Sequence, residues 1–173
     1  MTNPIDPSQA LTIYIEHREP DLAPSSLRSY EYRLRHFITW CEQQDIATLD
    51  DISPRDIHEY KQWRRTDGHQ GKGEMSRPTV KSNMDCLRGF LRYMEKLEYA
   101  PDELHDAAES PELRDDENVS DSIVRRDKAE AILNHLDKFR YATREHTLFT
   151  IAWNTAARTG ALRGLDLEDY HPD

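Results

Sequence analysis

The chain of 173 residues is poor in cysteine, with two, in glycine, with six, and in lysine, and it has no apolar run approaching the length of a membrane span. Each scarcity removes a class of protein. Cys41 and Cys86 stand far apart with no C-x-x-C pattern and the eight histidines are scattered, so neither a disulfide framework nor a zinc site is expected. Both cysteines fall on apolar helix faces and are expected in the core. The opening MTNPIDPSQALTIYIEHREP has neither the basic nor the apolar region of a secretory signal, which places the protein in the cytoplasm and off the membrane. An excess of positive charge is also missing. The formal net charge is -10, which at first sight argues against a nucleic-acid partner.

The distribution of charge softens that objection. Residues 1–100 carry 14 Lys+Arg against 16 Asp+Glu, whereas PDELHDAAESPELRDDENVSD, residues 101–121, holds nine acids and the single base Arg114. The excess acid is concentrated in one segment, expected to be a linker without a core of its own. An acid-rich, lysine-poor composition resembles that of proteins from organisms living in concentrated salt, and a halophilic origin is the corresponding expectation.

A hydrophobic fraction of 36% with strong local periodicity indicates a folded, globular chain. Leu11, Tyr14 and Ile15 mark a short first helix. In PSSLRSYEYRLRHFITWCEQQ, the residues Leu27, Tyr30, Leu34, Phe37, Ile38 and Cys41 share one face of a longer second helix, with Ser25 or Ser26 as its cap. Ser53 is the expected N-cap of a third, with Pro54 at its first position and Asp56 in its first turn. After the glycine-rich TDGHQGKGEMS, Pro78 opens a fourth helix whose Val80, Met84, Leu87, Leu91 and Met94 step by four and three. These four helices make one bundle-like domain, residues 1–100. Two further helices, in VRRDKAEAILNHLDKF and TREHTLFTIAWNTAA, begin a second domain over 122–173, the latter so apolar that it is expected to be buried.

The helix faces supply the first functional signal. The fourth helix sets Arg77, Lys81, Arg88 and Arg92 beside its apolar stripe, and the second does the same with Arg28 and Arg35. Ser76, Arg77 and Thr79 lie at a helix N-terminus, with Lys72 just before it, where free N–H groups suit phosphate. The alternative is an ordinary solvated face, and Asp85 and Glu95 interrupt the stripe.

Ser26, Tyr30, Leu34, Phe37 and Trp40 in PSSLRSYEYRLRHFITW resemble the opening of the SAM-like core-binding domain of tyrosine recombinases, the phage integrase family. Ser76, Thr79, Leu87, Arg88, Phe90 and Tyr93 in SRPTVKSNMDCLRGFLRY resemble that domain's last long helix. The family's catalytic domain has an early motif T-G-x-R-x-x-E-L-x-x-L followed by an aspartate, and Thr155, Arg158, Leu162, Leu165 and Asp169 fall on it. Ala156 stands where glycine is usual and Ala161 where glutamate is usual. A second register, Arg163-Gly-Leu-Asp166-Leu167, also reads R-x-x-[DE]-L; the first keeps the threonine and the LDLEDY segment aligned. An arginine near a helix C-terminus is the structural alternative.

The resemblance implies a mainly α protein: a SAM-like bundle of about four helices, then the first helices of an incomplete α+β catalytic domain. It implies double-stranded DNA as partner, self-association on DNA, and strand cleavage by a tyrosine hydroxyl with no metal or cofactor. Arg158 is the candidate catalytic residue, because a guanidinium bonds phosphate oxygens bidentately and stabilises charge in the transition state. The family's lysine, His/Arg box and nucleophilic tyrosine lie downstream of its arginine motif, and Tyr170 is too close to that motif to be the nucleophile. The expectation is the DNA-binding portion of a site-specific recombinase, inactive as this fragment. The competing readings are a recombinase remnant or regulator that binds DNA without cutting it, and a helical protein-interaction module.

Overall fold

The computed structural model describes residues 3–66, 73–114, 117 and 123–169. Among these it contains eight α-helices and no strand: α1 (Pro7–Arg18), α2 (Pro24–Gln43), α3 (Pro54–Arg65), α4 (Arg77–Lys96), α5 (Leu104–Ala107), α6 (Arg126–Phe139), α7 (Arg144–Thr155) and α8 (Thr159–Arg163). None is long and apolar enough to cross a membrane. The chain divides into two compact units, Met1–Val119 and Ser120–Asp173.

Local chemistry accounts for the helix starts. The Asp6 carboxylate accepts from Ser8 N at 2.8 Å and Gln9 N at 3.2 Å, capping α1. Ser53 and Asp56 form a reciprocal capping box on α3, with Pro54 inside it. In α2 the structure differs from expectation. The helix begins at Pro24 after Ala23, without a side-chain cap, so Ser25 and Ser26 lie inside the first turn. Proline at the first helical position has its φ already set and no N–H to satisfy, which makes the serine cap dispensable.

The first unit holds the core. Leu34, Phe37 and Cys41 from α2, Ile57 and Tyr60 from α3, and Met84, Leu87, Phe90, Leu91 and Met94 from α4 are almost fully enclosed. Phe37 meets Tyr60 and Phe90 edge-on, with ring centroids 5.1 and 6.3 Å apart. Cys41 and Cys86 are buried free thiols, as expected, and burial pushes both up to about 12, so they behave as small apolar groups. One ion enters this core. Arg64 of α3 is buried, its Nε donating to Asn83 Oδ1 of α4 at 3.4 Å, and burial lowers its pKa. Asn83 Nδ2 in turn donates to Thr79 O at 2.7 Å.

The boundary of this unit lies beyond residue 100. Ala100, Leu104 and Ala108 are buried with the four-helix core, and α5 packs against α3 and α4. The acids of the 101–121 sequence hide this, because Ala100, Leu104 and Ala108 face inward at a spacing of four while Asp102, Glu103, Asp106 and Glu109 are exposed. Glu95 fixes the same stretch from outside: its carboxylate accepts from His105 N and contacts His105 Nδ1, both at 2.6 Å.

The second unit is built from α6, α7 and α8, and among its described residues only Ala129 is fully buried. The expectation that the apolar α7 is buried is therefore not met. No residue of α7 is enclosed, and Trp153 remains 38% exposed. Three short helices do not supply enough surface to surround one of their own number.

Candidate nucleic-acid interface

The basic residues singled out from sequence fall into two environments. Arg77 reaches across to the acidic segment, its Nη2 donating to Glu112 O at 2.8 Å and its Nη1 to Glu117 Oε1 at 3.3 Å. Arg88 Nη2 donates to Ala108 O at 2.7 Å. Lys81 pairs with Asp85 at 3.1 Å, and Asp85 also accepts a short hydrogen bond from Ser110 Oγ. Burial alone would raise Asp85, but the bonds from Ser110 and Lys81 and the charges of Lys81 and Arg88 outweigh it and hold the carboxyl below its ordinary value. Arg35 on α2 is paired with Glu31 one turn earlier at 2.6 Å. Ser76 and Thr79 share a 2.8 Å hydroxyl contact at the start of α4. Lys72 lies outside the described residues.

Residues 108–114 and Glu117 thus lie along the flank of α4 that bears Arg77, Lys81 and Arg88, and those three side chains are occupied within the chain. Arg28 and Arg92 are exposed and form no ion pair among the described residues. The pairing of Arg77 and Arg88 with backbone carbonyls has no signal in the sequence, since a carbonyl acceptor carries no residue identity.

In the second unit, α7 ends at Thr155 and the chain turns through Ala156, which adopts a left-handed conformation with φ 51° and ψ 28°. Thr155 Oγ1 closes this corner, donating to Ile151 O at 2.6 Å and accepting from Ala157 N at 3.2 Å. Arg158 follows as the N-cap residue of α8, its carbonyl accepting from Leu162 N at 3.1 Å. Its side chain is exposed and makes no hydrogen bond or ion pair among the described residues, so the alternative of an arginine capping a helix C-terminus does not describe it. Arg163, the arginine of the second register, lies at the other end of α8 and lines a groove with Arg144, Leu148 and Ile151. Asp169 Oδ2 accepts from Asp166 N at 2.9 Å; Tyr170 lies outside the described residues.

Residues 14–98 match the family described as phage integrase, N-terminal SAM-like domain. Residues 14–98 are a SAM-like domain of the phage integrase, or tyrosine recombinase, family. A crystal structure of the N-terminal domain of a phage integrase/site-specific recombinase from Haloarcula marismortui is similar, with a TM-score of 0.57 and 28% identity over 63% of this chain and 99% of that one. No curated protein matches the sequence. The matched span runs from α1 to just past α4 and so covers the four-helix core.

Proposed function

We propose that this chain is the DNA-binding portion of a site-specific tyrosine recombinase, in which the first unit holds duplex DNA and the second begins the catalytic domain. The observation that carries the reading is the SAM-like integrase match over 14–98. In a complete enzyme Arg158 has the catalytic role, its guanidinium holding non-bridging oxygens of the scissile phosphate while a tyrosine from downstream sequence attacks. Its exposed position at the start of α8, with no carboxylate partner among the described residues, leaves its donors available for that task. The assembly works in the cytoplasm and self-associates on DNA.

The direct test is an anisotropy titration of the 173-residue chain against a labelled duplex at several salt concentrations. Binding whose logarithm falls linearly with the logarithm of salt supports the reading. No binding at any salt would favour a protein-interaction module instead. If a version carrying downstream sequence cleaves DNA in the presence of EDTA, the metal-free tyrosine mechanism stands; binding without cleavage favours a remnant or regulator.

The net charge of -10 supports a working environment of concentrated salt, where screening relieves self-repulsion. The thermal midpoint is then expected to rise as potassium chloride is raised to molar levels, and a flat response would remove the halophilic reading.

A further inference from the structure

The occupied stretch of α4 directs attention to the part of the same helix that adjoins it, one turn beyond Arg88. Gly89, Arg92 and Lys96 succeed one another there at helical spacing and line a groove of about 250 Å³, closed by α1 and by Tyr30 of α2. From α1 come His17 and Arg18. The His17 ring lies flat on Tyr93, with centroids 4.0 Å apart and planes 9° from parallel, so each fixes the other. The Arg18 guanidinium sits over the Tyr30 ring at 5.8 Å, and its Nε is buried with no hydrogen-bond partner. Neither Arg92 nor Lys96 has an acidic partner among the described residues. Among the described residues the one carboxylate in the groove, Asp85, is already held by Ser110, Lys81 and Arg88.

Gly89 shapes the floor. A Cβ there would stand 3.2 Å from Tyr14 Oη, so a side chain at this position would press on the phenol. Burial raises Tyr14 to about 12, and its hydroxyl therefore keeps its proton and can donate. An acidic protein has here a groove with two cations that lack an acidic partner, Arg92 and Lys96, beside the unpartnered Nε–H of Arg18 and a protonated phenol. That donor set suits a phosphate ester, and the Tyr30 ring holds Arg18 in place.

We propose that this groove, between α1, α2 and α4, receives a backbone phosphate of duplex DNA through Arg18, Arg92 and Lys96, with Tyr14 as neutral donor. Arg77 and Arg88, bonded to residues 108, 112 and 117, and Lys81, paired with Asp85, carry little of the contact. The assignment rests on the DNA-binding reading above and locates it.

The test compares two double variants of the 173-residue chain in the duplex titration, with circular dichroism to establish that each is folded. Arg92→Ala with Lys96→Ala is expected to weaken binding about ten-fold or more and to flatten the salt slope by about one, at roughly 0.9 for the one phosphate that is no longer neutralised. Arg77→Ala with Lys81→Ala is expected to change affinity less than about three-fold, since both side chains are already engaged within the chain. Arg92→Lys with Lys96→Arg, which keeps both charges, restores most of the affinity. Gly89→Ala, which removes no charge, is expected to weaken binding by crowding Tyr14. If the two double variants exchange places, the groove assignment fails while DNA binding stands; if the unaltered chain binds no duplex, the functional reading itself fails. Inorganic phosphate at matched ionic strength distinguishes the source of the anion. Competition no greater than that of chloride supports the polymer, and displacement of the duplex by phosphate alone would overturn the assignment to DNA.

Discussion

The two units use similar helical sequence and reach different ends. In the first, apolar faces of α1 to α5 enclose one another, so that Phe37, Tyr60 and Phe90 are almost wholly removed from water. In the second, α6 and α7 carry comparable apolar content, yet among the described residues Ala129 alone is fully buried and Ile123, Phe139, Tyr141 and Trp153 remain exposed. A helix pattern specifies a face to be covered and says nothing of whether a cover is within reach. Enclosure needs neighbours on several sides, which the five helices of the first unit provide and the three of the second do not.

The sharpest way to break this comparison is a matched pair of truncations. Phe90→Ala, in the centre of the first unit, is expected to cost about 3–5 kcal/mol, a large part of the stability of a domain this size. Trp153→Ala is expected to change stability by less than about 0.5 kcal/mol, because little is enclosed around it. Urea unfolding followed by circular dichroism measures both. Equal losses would show that the second unit has a core in solution that the described residues do not show.

The next effect belongs to the arginine of α8. In a version carrying downstream sequence, Arg158→Ala is expected to depress strand cleavage by about two orders of magnitude, the scale of losing one preorganised charge-stabilising donor, while duplex binding falls far less. Arg163→Ala is expected to do much less harm. Reversal of the two in a cleavage assay would move the motif to the second register.

Legibility follows the same division. Helices α1 to α4 of the first unit, the N-cap at Ser53 and the buried cysteines are readable from sequence because period and cap chemistry are local. The end of that unit reads too early, since Leu104 and Ala108 are two apolar residues among nine acids and composition outweighs spacing in such a stretch. The basic stripe of α4 is visible as a stripe. Its partition into a stretch that holds the chain and a stretch that faces a groove depends on where the segment after α5 returns, which is tertiary information. The groove's other contributors, Tyr14, His17 and Arg18, lie on α1, whose sequence reads only as a short amphipathic helix.

A smaller effect sharpens the account of the acidic segment. Removing Arg77 deletes two bonds to residues 112 and 117, both partly exposed, so Arg77→Ala is expected to accelerate tryptic cleavage after Arg114 about five-fold. Asp85 gives the same result a pH dependence. Its folded pKa is depressed, so its contribution is complete above the ordinary carboxylate value of about 4 and is lost as the pH falls through the lower folded value. Asp85→Asn is expected to loosen the segment and to remove that acid-side change. A protease stable in acid, following cleavage of 109–114, measures it, and an identical pH profile in the variant would mean that another carboxylate is responsible.

The smallest effect concerns the corner before Arg158. Ala156 holds φ 51°, a conformation that costs an L-residue roughly 1–2 kcal/mol because its Cβ crowds the following carbonyl. Glycine avoids that crowding but loses about 0.5–1 kcal/mol more chain entropy on folding. The difference favours Ala156→Gly by about 0.5–1 kcal/mol. The gain is expected locally, as slower amide exchange at the end of α7, where Ala156 N donates to Ala152 O at 2.9 Å. Unaltered exchange there would mean that the corner does not hold its left-handed turn in solution, and the placement of Arg158 at the head of α8 would lose its support.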